Sequence, residues 1–196
     1  MNKIHSVVIV DDHKFIREGL KALLNTSDDF KVIGEAGNGM DAIRCIKEKR
    51  PEMAMVDINM PHIGGLSVIK ECTRSVPDVK ILVLTMHSEN GFAKKAFQNG
   101  AKGYCLKTAS HRELLFAVRT VLSGKIYMSP EIINSIIEGF LDKNECLSLE
   151  ALTRQELEVL KLVGGKCRIK DLADFFCSSI KPAIQYHAGN SPAQRI

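Results

Sequence analysis

The stretch VVIVDDHKF, Val7–Phe15, decides the fold. Four apolar residues, all β-branched, end abruptly in two adjacent carboxylates, Asp11 and Asp12. An unbroken apolar run of this length is the mark of a strand buried on both faces, as in a parallel sheet. The same grammar recurs at Val32–Ala36, Met53–Val56, Ile81–Leu84 and Gly103–Leu106. Between these runs the spacing becomes helical. Ile16, Leu20, Leu23 and Leu24 form one stripe, Met40, Ile43 and Ile46 a second, and Leu114, Leu115, Val118, Val121 and Leu122 a third. Strand and helix alternating five times predict an α/β fold, a doubly wound five-stranded parallel sheet with helices on both faces.

In such sheets ligands bind beyond the carboxyl ends of the strands. Asp11 and Asp12 follow the first strand, Asp57 the third, Thr85 the fourth and Lys107 the fifth. Taken singly, each has an ordinary explanation: an aspartate or threonine there often caps the next helix, and a loop lysine is often solvated. Taken together, they place three carboxylates at one edge, where they repel unless a cation joins them. Hard oxygen donors of this kind suit Mg²⁺. A nucleotide-binding enzyme on the same architecture fits poorly. No glycine-rich loop follows the first strand, and the carboxylates there would repel a phosphate.

The chain has 196 residues, about right for one medium domain and a small one, and 45% are hydrophobic. Apolar runs such as Ile81–Leu84 are too short to span a bilayer, and the first residues lack a signal-peptide pattern, so a cytoplasmic protein without membrane contact is expected. Six cysteines without C-x-x-C pairing read as small hydrophobes in a reducing compartment. Residues 1–125 hold 19 Lys+Arg against 14 Asp+Glu, and residues 126–196 hold 8 against 9. Bulk charge therefore does not advertise a nucleic-acid surface in the C-terminal part.

The set Asp11-Asp12, Asp57, Thr85 and Lys107 resembles the receiver domain of two-component response regulators. DINMPHIGGLSVI, Asp57–Ile69, is the most specific piece, and LTMH and GAKGYCLKTAS complete it. The later motifs resemble the NarL/FixJ (LuxR-type) subgroup. The resemblance covers residue 4 to about residue 122 and implies a flavodoxin-like sheet of order 2-1-3-4-5. It further implies phosphorylation of Asp57 by a sensor histidine kinase. Mg²⁺ would be held by Asp12, Asp57 and the backbone carbonyl of Asn59, with Asp11 acting through water. Lys107 and Thr85 would contact phosphoryl oxygens. Such a domain is a phosphoacceptor with weak autophosphatase activity rather than an enzyme. Thr108 departs from the many receivers with proline after the lysine, leaving out a cis-proline bond.

Tyr104 on the fifth strand reads either as a strand aromatic with its hydroxyl at the surface or, by the resemblance, as a switch residue. In the latter case its ring moves inward when Thr85 swings toward the phosphoryl group. The face formed by the fourth helix (Gly91–Asn99), fifth strand and fifth helix (Ser110–Leu122) would then change. Ser110 and Glu113 have capping-box spacing.

Residues 1–122 are thus expected to be the receiver and 123–150 a linker. In that linker Ser129-Pro130 starts a helix with the stripe Ile132, Ile133, Ile136, Ile137 and Phe140. Residues 151–196 resemble an incomplete LuxR-type helix-turn-helix. LTRQELEVLKLV, Leu152–Val163, matches its start, and Lys181, Gln185 and His187 are the candidate DNA contacts. Pro182 stands where the recognition helix has threonine, and Gly189 and Pro192 end that helix early. Two readings follow. One is a homodimeric, DNA-binding transcription regulator. The other is a phosphoacceptor module with a degenerate DNA-binding domain, acting through protein contacts.

Overall fold

The computed structural model describes residues 3–87 and 90–141. The chain divides into two compact units, the first ending at Pro130 and the second beginning at Glu131. In the first unit β1 (His5–Val10), α1 (Lys14–Leu24), β2 (Phe30–Ala36), α2 (Gly39–Lys49), β3 (Met53–Asp57) and α3 (Gly65–Ser75) follow one another. They continue into β4 (Lys80–Thr85), α4 (Asn90–Gln98), β5 (Gly103–Leu106), α5 (His111–Leu122) and β6 (Tyr127–Met128). The helix α6 (Pro130–Leu141) starts at the expected proline. The candidate helix-turn-helix, with Lys181, Gln185 and His187, lies outside the described residues.

The sheet has the order β2-β1-β3-β4-β5-β6, and every neighbouring pair is parallel. Its first five strands run in the expected 2-1-3-4-5 order. The unbroken apolar runs have the expected cause: Val7, Val8 and Ile9 of β1 are all fully buried, although their side chains alternate between faces. One face packs Val7, Ile9, Met55, Leu84, Val118 and Val121 into a single core.

The sixth strand extends the expectation. Tyr127–Met128 lies beside Gly103–Tyr104 of β5 and draws the start of the expected linker into the sheet. A strand of two residues carries no periodicity, so no sequence pattern announces it. On α2, Met40 was expected to face inward but is 66% exposed, and the buried positions are Gly39, Ala42 and Ile46. Gly39 sits so close to Ile63 that any side chain would strike the Ile63 backbone carbonyl, so the inward face begins with small residues, Gly39 and Ala42, before Ile46.

Ser110 caps α5 as expected, accepting a hydrogen bond from the Glu113 amide at 3.2 Å. The reciprocal half of the box is absent. The Glu113 carboxylate instead accepts from the Tyr127 hydroxyl at 2.9 Å and the Ser129 hydroxyl at 3.4 Å, binding α5 to β6. Burial and this carboxylate both push the Tyr127 phenol well above its ordinary range. Cys72 and Cys105 are buried and Cys45 is half-buried. Burial raises the Cys72 thiol to about 11, which keeps it protonated and unreactive.

Candidate functional site

Parallel pairing puts the ends of β1, β3, β4 and β5 at one edge of the sheet. Asp57 closes β3, and Thr85 closes β4 one residue beyond the partner of Asp57. Thr85 in turn pairs with Leu106, so Lys107 emerges beside it, its amide donating to the Thr85 carbonyl at 2.8 Å. Asp11 follows β1 directly, its amide donating to the Ala36 carbonyl of β2 at 3.1 Å.

The geometry brings the expected charges together. Asp11 is 1% exposed and Asp57 2%. Lys107 Nζ lies 2.7 Å from Oδ2 of each, as a hydrogen bond to Asp57 and an ion pair to Asp11. The ammonium therefore offsets one of the pocket's three carboxylate charges, in addition to any role it has toward an incoming group. Burial pushes the Asp57 carboxyl above its ordinary value, against the opposing pull of Lys107 and of the Asn59 amide. Burial acts against the Lys107 charge too, but the two carboxylates outweigh it and its net shift is upward.

Asp11, Asp12, His13 and Asp57 each offer a ligand atom, and these atoms all lie within 4.8 Å of one another. Asp12 Oδ1 is buried yet accepts no hydrogen bond, although His13 Nδ1 approaches to 2.8 Å. A buried carboxylate oxygen without a donor is what a cation site offers. The acidic pocket thus fits a divalent metal.

The loops around the pocket are held by contacts the sequence did not suggest. Arg17, one turn into α1, donates from Nη1 to the Asp11 carbonyl at 2.7 Å and pins the acidic loop. A basic residue following an acidic pair was the only available cue, and its backbone target was not readable. Gly65 packs against β3 so closely that any Cβ would collide with the Asp57 backbone carbonyl. That explains the second glycine of the Gly64-Gly65 pair. His62 in the same loop has φ 64°, a left-handed conformation rare for a side-chain-bearing residue.

Across the pocket mouth, Asn59 Nδ2 and His87 Nε2 are 2.6 Å apart, and the His87 ring stacks on Phe92 at 4.6 Å between centroids. Asn59 donates its amide to Asp57 Oδ1 at 3.2 Å. Thr85 is fully buried, and its hydroxyl oxygen accepts from the His87 amide at 3.1 Å. Tyr104 differs from the surface reading: its ring is fully buried, and its hydroxyl donates to the His87 carbonyl at 3.0 Å. Thr85 and Tyr104 therefore grip the same residue. Among the described residues no peptide bond is cis, in keeping with Thr108 after the lysine.

Comparison with known proteins agrees with this geometry. Residues 7–119 match the family described as the response regulator receiver domain. The chain is 30% identical over 181 residues to the response regulator GacA of Pseudomonas aeruginosa, covering 92% of this chain and 85% of that protein. It is 34% identical over 182 residues to the oxygen regulatory protein NreC of Staphylococcus carnosus, covering 89% and 84%. Among solved structures, a LuxR-family two-component response regulator from Aurantimonas sp. SI85-9A1 superimposes with a TM-score of 0.68 at 32% identity, covering 71% of this chain and 99% of that one. The receiver domain of the NarL regulator of Mycobacterium tuberculosis gives 0.60 at 33% identity, covering 63% and 99%. By its sheet order, its acidic pocket and these matches, the chain belongs to the two-component response regulators of the NarL/FixJ (LuxR-type) family.

Proposed function

We propose that this response regulator is phosphorylated on Asp57 by a sensor histidine kinase, with Mg²⁺ in the acidic pocket, and that phosphorylation controls transcription through its C-terminal part. The observation that carries the reading is the convergence of Asp11, Asp57 and Lys107 at 2.7 Å contacts in a buried pocket. An Asp57 oxygen attacks the phosphorus of a phosphohistidine. The P–N bond breaks and its electron pair leaves with the imidazole nitrogen. Phosphoryl transfer of this kind needs positioning and charge neutralisation more than nucleophilic strength.

Lys107, held near Asp57, is placed to follow the charge onto a phosphoryl oxygen. Thr85 exchanges its present contact with the His87 amide for another phosphoryl oxygen, which frees the loop that Tyr104 also holds. Asp11, Asp12, Asp57 and the Asn59 carbonyl would hold Mg²⁺, which supplies neutralisation of the equatorial oxygens when bound. Hydrolysis of the acyl phosphate resets the switch, and no other catalytic activity is assigned. No described helix is long and apolar enough to cross a membrane, consistent with a cytoplasmic site of action.

Wild-type chain incubated with acetyl phosphate and Mg²⁺ should gain one phosphoryl group labile to alkali and hydroxylamine, seen by intact mass. Asp57→Asn should gain none, and undiminished labelling would overturn the assignment. The matches to LuxR-family regulators favour DNA contact through the C-terminal part, for which a homodimer using Lys181, Gln185 and His187 is the reading offered. Pro182 favours the second reading, output through protein contacts. A salt-titrated gel shift with phosphorylated chain separates the two, since saturable binding must weaken with salt.

A further inference from the structure

We propose that His13 is an imidazole ligand of the acidic pocket, so that the pocket takes a borderline divalent cation such as Zn²⁺ more tightly than Mg²⁺. The inference rests on the reading of the pocket as a divalent-cation site and adds a nitrogen donor to it. His13 Nδ1 lies 2.8 Å from Asp12 Oδ1 and 3.3 Å from Asp11 Oδ1. Two donors on one cation at about 2.1 Å lie about 3.0 Å apart at a right angle and about 3.4 Å apart at the tetrahedral angle, so the 3.3 Å separation already fits a tetrahedral ion and the 2.8 Å one has to open by about 0.6 Å.

The His13 side chain is turned onto the acidic loop, its Nδ1 within hydrogen-bond distance of Asp11 Oδ1 at 3.3 Å. It occupies the N-cap position of α1 but makes no side-chain capping bond. Its backbone is fixed where a ligand needs it, since its amide donates to Asp11 Oδ1 at 2.9 Å. Asp12 Oδ1, the oxygen nearest the ring, is a buried atom paired with that imidazole nitrogen, a contact that a cation seated between the two would take over. The ring is 67% exposed and open to an ion arriving from solvent.

The donor set decides the class of ion. Carboxylates alone suit Mg²⁺, whereas imidazole with carboxylates suits Zn²⁺ and its transition-metal neighbours, which outrank Mg²⁺ at mixed nitrogen and oxygen sites. A bound Zn²⁺ would hold Asp12 and His13 together and compete with Mg²⁺ for the same oxygens.

The test is calorimetric titration of the full chain, kept reduced, with Zn²⁺ and separately with Mg²⁺, in wild type and in His13→Ala. Imidazole ¹⁵N resonances are followed alongside. Even outer-shell partners of a metal change its affinity about tenfold or more, so His13→Ala should weaken the Zn²⁺ site at least about tenfold. Mg²⁺ affinity should stay within about twofold. Excess Mg²⁺ should displace the His13-dependent Zn²⁺, and the His13 resonance should move on Zn²⁺ addition; Zn²⁺ held by thiols elsewhere responds to neither. Equal Zn²⁺ binding by wild type and His13→Ala, with Mg²⁺ still bound, overturns the proposal alone. Loss of both ions' binding to the wild type overturns the pocket reading with it.

Discussion

Lys107→Met tests the electrostatic logic of the pocket most directly. The substitution keeps most of the buried stem and deletes the ammonium that sits 2.7 Å from both Asp11 and Asp57. Two buried carboxylates then face each other without a counter-charge. Breaking a buried pair in this way costs about 3–5 kcal/mol. Proton uptake sets a ceiling on that loss. From an ordinary value of 3.8, holding one aspartate protonated at pH 7 costs about 4 kcal/mol, and at pH 5 about 1.5 kcal/mol. The expected destabilisation is therefore about 3–4 kcal/mol at pH 7, shrinking to about 1.5 kcal/mol at pH 5.

The sign follows from proton binding. Deleting the cation raises the folded-state value of Asp57, which burial already lifts, further above the unfolded one. The folded variant then binds more protons than the unfolded chain, so its stability rises as pH falls through that window. Urea unfolding followed by far-ultraviolet circular dichroism at pH 5 and pH 7 measures both values. Millimolar Mg²⁺ at pH 7 should restore part of the loss by replacing the missing charge. A loss equal at both pH values and unmoved by Mg²⁺ would refute the argument, because the damage would then be packing rather than charge.

Two further substitutions probe the frame. Gly65→Ala ordinarily gains up to about 1 kcal/mol in a helix, but here the new methyl meets the Asp57 backbone carbonyl. A net loss of about 1–2 kcal/mol with slower acetyl-phosphate labelling is expected, and a stabilised, normally labelled variant would remove the close approach from the account. Ser129→Ala removes the acceptor of the buried Leu106 amide, 3.2 Å away. It should lower stability by about 1–3 kcal/mol in the same urea assay, and a change below about 0.5 kcal/mol would show that the bond is replaced by water.

The sequence carried the sheet because parallel strands buried on both faces must be apolar throughout, as Val7–Val10 and Met53–Val56 are. It carried Asp11, Asp57, Thr85 and Lys107 because their positions follow from strand ends alone. What it did not carry depends on tertiary distance. Lys107 was expected to await a phosphoryl oxygen, whereas it reaches back to two carboxylates. Glu113 had the spacing of a cap, but Tyr127 and Ser129 come close enough to take its carboxylate. Met40 fitted a helical stripe by period, yet the tight seat of Gly39 on Ile63 turns it to solvent. The pinning of the acidic loop by Arg17 was silent because its acceptor is a backbone carbonyl, which every residue possesses.

The two-residue strand β6 has a consequence for colloidal behaviour. An open sheet ends in a row of unpaired amides and carbonyls that can recruit a neighbouring molecule. Here the flank beside β5 ends after Tyr127 and Met128, and Pro130, two residues further, has no amide proton to offer. A stranger strand finds too short a ledge to grip, so this margin of the molecule resists fibrillar stacking through its shortness.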